Sequence, residues 1–198
     1  VPKTDQERVQ NLKKELSEWS ELDLSWEITE KLEGSSMTCY LSLDGEFEVC
    51  SRNLSLKREG GSTFWKVAIE QNIEQKMRDR KMFGAAIQGE LVGEGIQGNI
   101  YGLKGHHFYV FDVYSVEGAE YLPAYERTTI IYVLDLNHAP IIKSVTKISY
   151  DMSTLIENAD GASCLKKDQA REGLVYKCLE MPELSFKTIS NKYLLKQK

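Results

Sequence analysis

The sequence predicts an α+β fold with antiparallel sheets, because helical and hairpin patterns are interspersed without the regular strand–helix alternation of a parallel sheet. Two stretches carry apolar residues at helical spacing, one hairpin is marked by an Asp-Gly turn, and one apolar, aromatic run reads as a buried strand.

Thr4 and Glu7 have capping-box spacing, and Val9, Leu12, Leu16 and Trp19 follow at helical intervals, so an amphipathic helix is expected from about Asp5 to Trp19. From Trp26 to Arg52 the pattern turns to strand. Met37–Leu41 and Glu46–Cys50 flank Asp44-Gly45, a hairpin signal, and Lys31 falls just before a strand. Beyond Gly60-Gly61-Ser62, Trp65, Ile69, Ile73 and Met77 recur every fourth residue and predict a second helix ending in the basic stretch Lys76 to Lys81. The apolar Phe83–Ile87, a glycine-rich segment from Gly89 to Gly105 and Phe108–Tyr114 predict strands flanking a glycine-rich loop, a plausible pocket wall. Between Leu122 and Leu136 the signals conflict, since Thr128–Val133 favours a strand while Pro123 suits a first helical turn. A short helix over Ser153–Ala159, closing before Gly161, and strands at Glu172–Cys178 and Ser185–Ile189 complete the pattern.

With 198 residues, 41% of them hydrophobic and 28% charged, the chain has an ordinary globular composition and the length of one domain, expected to span residues 1–198. No apolar run approaches the roughly 20 residues that span a bilayer, and no signal-like N-terminus appears, so a soluble, cytoplasmic protein is expected. Cys39, Cys50, Cys164 and Cys178 are too far apart for paired zinc-site spacing and read as reduced thiols. A net charge of −5 excludes broad electrostatic attraction to nucleic acid, so RNA or DNA would be held by a local basic site or a further module.

Glu30-Lys31-Leu32-Glu33-Gly34-Ser35-Ser36 isolates one lysine between two carboxylates ahead of a turn of small residues. Alone, such a stretch more often marks a solvated turn than a catalytic site. Its weight comes from five downstream elements in a fixed order: Ser51-Arg52-Asn53, Gln88-Gly89-Glu90-Leu91-Val92-Gly93, Phe111-Asp112-Val113-Tyr114, Glu172-Gly173-Leu174-Val175-Tyr176-Lys177 and Ser185-Phe186-Lys187. This ordered set resembles the nucleotidyltransferase motifs of covalent ligases and capping enzymes. It is most similar to the ATP-dependent RNA ligases of the RNA ligase 2-like group, in its Deinococcus-type branch. Gly93–Asn99 and Phe186–Leu195 are the closest phrases, and the resemblance covers nearly the whole chain.

The resemblance implies a ligase-type nucleotidyltransferase fold, ATP-grasp-like in setting antiparallel sheets around a nucleotide pocket. Lys31 would attack the α-phosphorus of ATP to form lysyl-AMP, for which its amine must shed a proton that a free lysine holds up to a pKa of about 10.4. Lys187 and a bound Mg2+ or Mn2+ would disfavour the ammonium form and stabilise phosphate charge. Gly34 and the two serines after it would let the backbone turn and aim the amine. Glu30 and Leu32 would flank the nucleotide, Arg52 would contact its sugar or phosphate, Glu90 would accept from the ribose hydroxyls and Phe111 would stack on adenine. Lys177 joins Lys187 in the nucleotide-binding set. Glu172 would hold the cation, with Glu33 and Glu90 as outer candidates. Gln97 matches a position linked to later steps on RNA. The plainer readings are a surface ion pair for Arg52, a solvated carboxylate for Glu90, core packing for Phe111 and a structural role for Lys177.

AMP would then pass to an RNA 5′-phosphate and be displaced by a 3′-hydroxyl, in repair of RNA breaks or nicks. The implied enzyme is a monomer that acts on RNA without a membrane. Two positions depart from the family pattern: Glu33 stands where many ligases have aspartate, and Ile189 where a second lysine follows the one matching Lys187, with Lys192 as a possible substitute. The chain ends soon after Lys187 without an OB-like run of strands, so an accessory RNA-binding domain, absent from this chain, is expected in a longer protein. The alternatives are a nucleotide- or RNA-end-binding module that does not ligate, a capping-type guanylyltransferase, or a DNA ligase core.

Overall fold

The computed structural model describes residues 1–197. A short 3-10 helix at Val9–Asn11 precedes α1 (Lys13–Ser20), β1 (Trp26–Lys31), β2 (Ser35–Leu41), β3 (Phe47–Cys50) and β4 (Ser55–Leu56). Next come α2 (Thr63–Glu70), α3 (Ile73–Asp79), β5 (Ala85–Gly93), β6 (His106–Ser115), β7 (Glu120–Tyr121), α4 (Ala124–Val133) and β8 (Asn137–His138). The chain continues through β9 (Ile141–Val145), α5 (Met152–Asn158), β10 (Gly173–Cys178), β11 (Ser185–Ile189) and α6 (Asn191–Lys196). The fold is α+β with antiparallel sheets, as expected, and its contacts divide into two compact units.

The first unit comprises Val1–Thr4 and Glu33–His138. Its sheet runs β4-β3-β2-β5-β6-β7, all antiparallel, and β8 adds a short parallel pairing to β6. The Asp44-Gly45 turn joins β2 to β3 as predicted, with Gly45 at φ 87°. Met37, Cys39 and Leu41 alternate into a core shared with Trp65, Met77, Ile87, Leu91 and Phe108. The continuous helix expected over 65–77 is instead two helices. Asn72 adopts φ 53°, a left-handed conformation asparagine tolerates, and the break buries Ile73 and Met77 while leaving Ile69 exposed. Over residues 122–136 the helix prevails. Pro123 takes the N-cap position of α4, and tertiary packing of Ile131 and Leu134 overrides the β-branched run.

The second unit comprises Asp5–Leu32 and Ala139–Lys198, with sheet order β11-β10-β1-β9. One face of this sheet is apolar. Trp26, Ile28, Leu174, Tyr176, Cys178 and Phe186 pack against Leu16 and Trp19 of α1 and Leu155 of α5. Their rings form a tight cluster, with centroids 5.4 Å apart for Trp26 and Phe186 and 4.6 Å for Tyr176 and Phe186. Because side chains alternate along a strand, the other face carries Glu27, Thr29 and Lys31 from β1, Val175 and Lys177 from β10, and Ser185 and Lys187 from β11.

The capped helix expected from Asp5 forms only from Lys13, after the 3-10 turn. Glu7 O accepts from Lys187 N at 2.8 Å, Arg8 bridges Lys187 in parallel, and Ser185 Oγ donates to Gln6 Oε1. Residues 6–8 thus pair along the outer edge of β11, so their backbone groups serve a sheet edge rather than a first helical turn. Thr4 caps no helix; its hydroxyl bonds that of Ser36. Among the described residues no helix is long and apolar enough to cross a membrane, and all four cysteines are free.

In the first unit the pairing of β5 with β6 shifts register between Gln88 and Gly89, leaving Phe111 as the extra residue of a β-bulge. A Cβ on Gly89 would lie 2.3 Å from Tyr109 O, so the bulge demands glycine there. Gly89→Ala should therefore lower unfolding stability by about 1–3 kcal/mol, read as a lower urea midpoint. An unchanged midpoint would contradict the close approach.

Candidate active site

Lys31 closes β1 directly opposite Gly173, the first residue of β10. Glu172 immediately precedes β10, and its carbonyl accepts from Ser190 N at 2.8 Å, which carries the β10–β11 pairing one step past the strand. The result is a hydrogen-bonded ion pair, Lys31 Nζ to Glu172 Oε1 at 2.9 Å, with side chains 24% and 17% exposed. An exposed pair of this kind would contribute under about 1 kcal/mol. Partial burial raises both the attraction and the desolvation cost, so the pair organises the site more than it stabilises the fold.

Lys187 lies on the same face of the sheet, opposite Val175. Its pKa is lowered first by burial and then by the nearby charges of Lys31 and Arg8, against the opposing influence of Asp5 and Glu172. Arg8 and Asp5 were not anticipated, because only the long-range pairing of residues 6–8 with β11 brings them there. No local pattern carries that signal. Lys177, one pair further along, is buried and directly opposite the buried Glu27.

Glu30 points to the opposite face. It is buried, its Oε2 accepts from Ser163 Oγ at 2.8 Å and its Oε1 from Cys164 N at 2.6 Å, while its own N–H donates to Pro140 O at 2.9 Å. Glu30 thus anchors the end of β1 immediately before Lys31. Leu32 is buried. Ile189 is buried across from Gly173, and Lys192 is exposed on the first turn of α6.

In the first unit Glu90 occupies the middle of the sheet, with Ser36 opposite on β2 and Tyr109 opposite on β6. Phe111 belongs to the same polar face. Val110 and Val113 both enter the core, and the bulge between them leaves Phe111 half-buried outside it. The core reading of Phe111 therefore does not hold. Arg52 is exposed in the tight turn joining β3 to β4. Gln97 is exposed in the loop between β5 and β6 at φ 48°, and Glu33 is tied to that loop, accepting from Gly98 N at 3.2 Å. At Gly34 an added Cβ would lie 2.3 Å from Leu91 O, so only glycine fits.

Among the described residues no group of three or more His, Cys, Asp or Glu side chains is placed to hold a metal ion. Glu172 still offers a carboxylate beside Lys31. One carboxylate suits a hard cation completed by ligand oxygens and water rather than an all-protein cage.

A family model described as RNA ligase matches residues 24–194. Solved structures of an RNA ligase from Naegleria gruberi are similar across 99% of this chain. A lysine-to-alanine mutant with ATP and Mn matches with TM-score 0.90 at 38% identity, a glutamate-to-alanine mutant with AMP and Mn with 0.91 at 38%, and the ligase with PPi with 0.91 at 39%. The chain spans 58% of the length of each. No curated protein matches it.

The lowered pKa of Lys187 has two measurable consequences. Acetylation of Lys187, followed by peptide mass spectrometry against pH, should show a midpoint below the 10.4 or so of a free lysine; a midpoint at or above that value would contradict the site's electrostatics. Since the unfolded chain binds this proton more tightly, charged Lys187 destabilises the fold at neutral pH. That cost disappears as pH rises past the unfolded value. Lys187→Met should accordingly be more stable than the parent at pH 7, with the advantage shrinking towards alkaline pH.

Proposed function

The chain belongs to the RNA ligase family, and from that premise we propose that it is the catalytic part of an ATP-dependent RNA ligase with Lys31 as its nucleophile. One observation carries the reading: Lys31, Glu172 and Lys187 lie together at one end of a single sheet, two cations and one carboxylate on its polar face.

Neutral Lys31 Nζ attacks the α-phosphorus of ATP; the new P–N bond forms as the bond to the bridging oxygen breaks, and pyrophosphate leaves with that electron pair. Before attack the ammonium gives up one proton to solvent, and the amine loses a second as the P–N bond forms. A divalent cation held by Glu172 would neutralise charge on the phosphates. Lys187 adds positive charge on the same side and binds phosphate oxygens. Its pKa is depressed first by burial and then by the neighbouring charges of Lys31 and Arg8, and an anionic ligand would relieve the latter. Lys177 takes part in phosphate binding further along the same face.

Phe111, re-aimed by the bulge, stacks on the adenine, and Glu90 accepts from the ribose hydroxyls. Arg52 binds the sugar or phosphate. Glu30 and Leu32 act by fixing the strand end on either side of the nucleophile. AMP then passes from Lys31 to an RNA 5′-phosphate, and the 3′-hydroxyl of the adjoining end displaces it to seal the strand, with Gln97 serving these RNA steps. The role is repair of RNA breaks or nicks in the cytoplasm by a monomer whose RNA grip is completed by an accessory domain. A net charge of −5 supports that last element, since the chain lacks a broadly basic surface.

Incubation with α-labelled ATP and Mg2+ or Mn2+ should give a labelled protein band on a denaturing gel, stable to alkali and lost in acid. Lys31→Ala should abolish it. A band that persists in Lys31→Ala would overturn the nucleophile, and ATP binding with no adduct would favour a non-ligating module. Phe111→Leu should weaken ATP binding about tenfold, from the lost ring contact, while leaving the urea midpoint nearly unchanged. Equal losses in both would contradict the stacking role.

A further inference from the structure

Residues 94–105, which join β5 to β6, form an ordered loop. Glu94 N donates to Gly105 O at 3.0 Å, and the Asn99 side chain exchanges two hydrogen bonds with the backbone of Leu103, at 3.1 and 3.2 Å. Ile96 enters the core of the first unit, and Tyr101 is 3% exposed. Within this frame Gln97 and Asn99 have φ of 48° and 42°. Asparagine tolerates such a left-handed backbone, whereas glutamine adopts it at a cost that its surroundings must offset.

Two bonds fasten the loop to Glu33, the second residue after Lys31. Glu33 N donates to Tyr101 Oη at 2.6 Å, and Gly98 N, next to Gln97, donates to Glu33 Oε1 at 3.2 Å. One residue thus holds the loop directly after Gln97 and again after Asn99, with backbone and side chain together. An aspartate at this position would end one methylene short of Gly98.

We propose that Glu33 and Tyr101 form a latch that fixes the backbone at Gln97 and so presents the Gln97 side chain to RNA. Both are then positioning residues for the steps after lysyl-AMP formation. The proposal rests on the reading of the chain as an RNA ligase. It predicts a division of labour: breaking the latch slows transfer of AMP to RNA and spares its loading onto the protein.

The test uses Tyr101→Phe, which removes the oxygen that accepts from Glu33 N without emptying the buried site. Lysyl-AMP formation should stay within about twofold of the parent, whereas single-turnover transfer of AMP from preloaded protein to a 5′-phosphorylated RNA should fall about tenfold, the loss of one buried hydrogen bond. Gln97→Ala should show the same split. In transfer, Glu33→Asp should resemble Tyr101→Phe, and Glu33→Gln, which keeps an acceptor at full reach, should recover most of the rate. Amide hydrogen exchange at Gly98 should be faster in Tyr101→Phe than in the parent, a readout that needs no RNA. Unchanged exchange at Gly98, or equal slowing of loading and transfer, would overturn the latch. A parent chain that forms no lysyl-AMP would overturn the ligase reading and the proposal with it. Loss of transfer in Gln97→Ala but not in Tyr101→Phe would overturn the latch alone.

Discussion

Gly173 lies directly between Lys31 and Ile189, and a Cβ added there would come within 1.9 Å of Thr188 O. The register of β1, β10 and β11 that this close approach fixes is the constraint on which the second unit depends. A slip of one residue in β10 would turn Tyr176 to the polar face and Val175 and Lys177 into the core. The stacked rings of Tyr176 and Phe186, with Trp26 edge-on, resist that slip because they can be buried in only one alignment. Packing on the apolar face therefore decides what meets on the other. The proximity of Lys31 and Lys187, unfavourable in itself, is sustained by the core beneath the sheet rather than by the charges above it.

The first unit solves a related problem by a different device. A strand that alternated strictly would place Phe111 and Val113 on one side and Val110 on the other. The bulge opposite Gly89 lets Val110 and Val113 both enter the core while Phe111 stays outside it, on the face that carries Glu90. Glycine is needed there because the two backbones nearly touch. In both units, then, the polar groups proposed to bind nucleotide are held by backbone geometry that apolar packing enforces, consistent with the rigid support such groups require.

How much was legible in the sequence depends on the range of each interaction. The Asp44-Gly45 hairpin, the short α5 and the strands at β10 and β11 rest on neighbours in the chain, and their signals were readable. The order of motifs around Lys31 also pointed to the family before any geometry was known. Long-range pairing was not readable. Thr4 and Glu7 have the spacing of a helix cap, yet residues 6–8 line β11, and with them Arg8 and Asp5 reach Lys187. The break at Asn72 hid behind a perfect four-residue repeat, because the pattern of apolar positions does not report a single left-handed residue. For Phe111 a clue existed in the three-residue spacing of Val110 and Val113 facing a glycine, but it gains meaning only once the partner strand is known. Glu33, which reads as a metal neighbour, also holds Gly98 and Tyr101, residues of a loop more than sixty positions away.

The central claim is that Glu172 and Lys187 act with Lys31 as one site on one sheet. A double-mutant cycle on the rate of protein adenylylation, using Glu172→Gln, Lys187→Met and the combined variant, tests it most directly. If both residues serve the same reacting phosphate, the double variant should be little slower than the worse single one. Losses that simply multiply would mean that the two residues act independently, and would contradict the account.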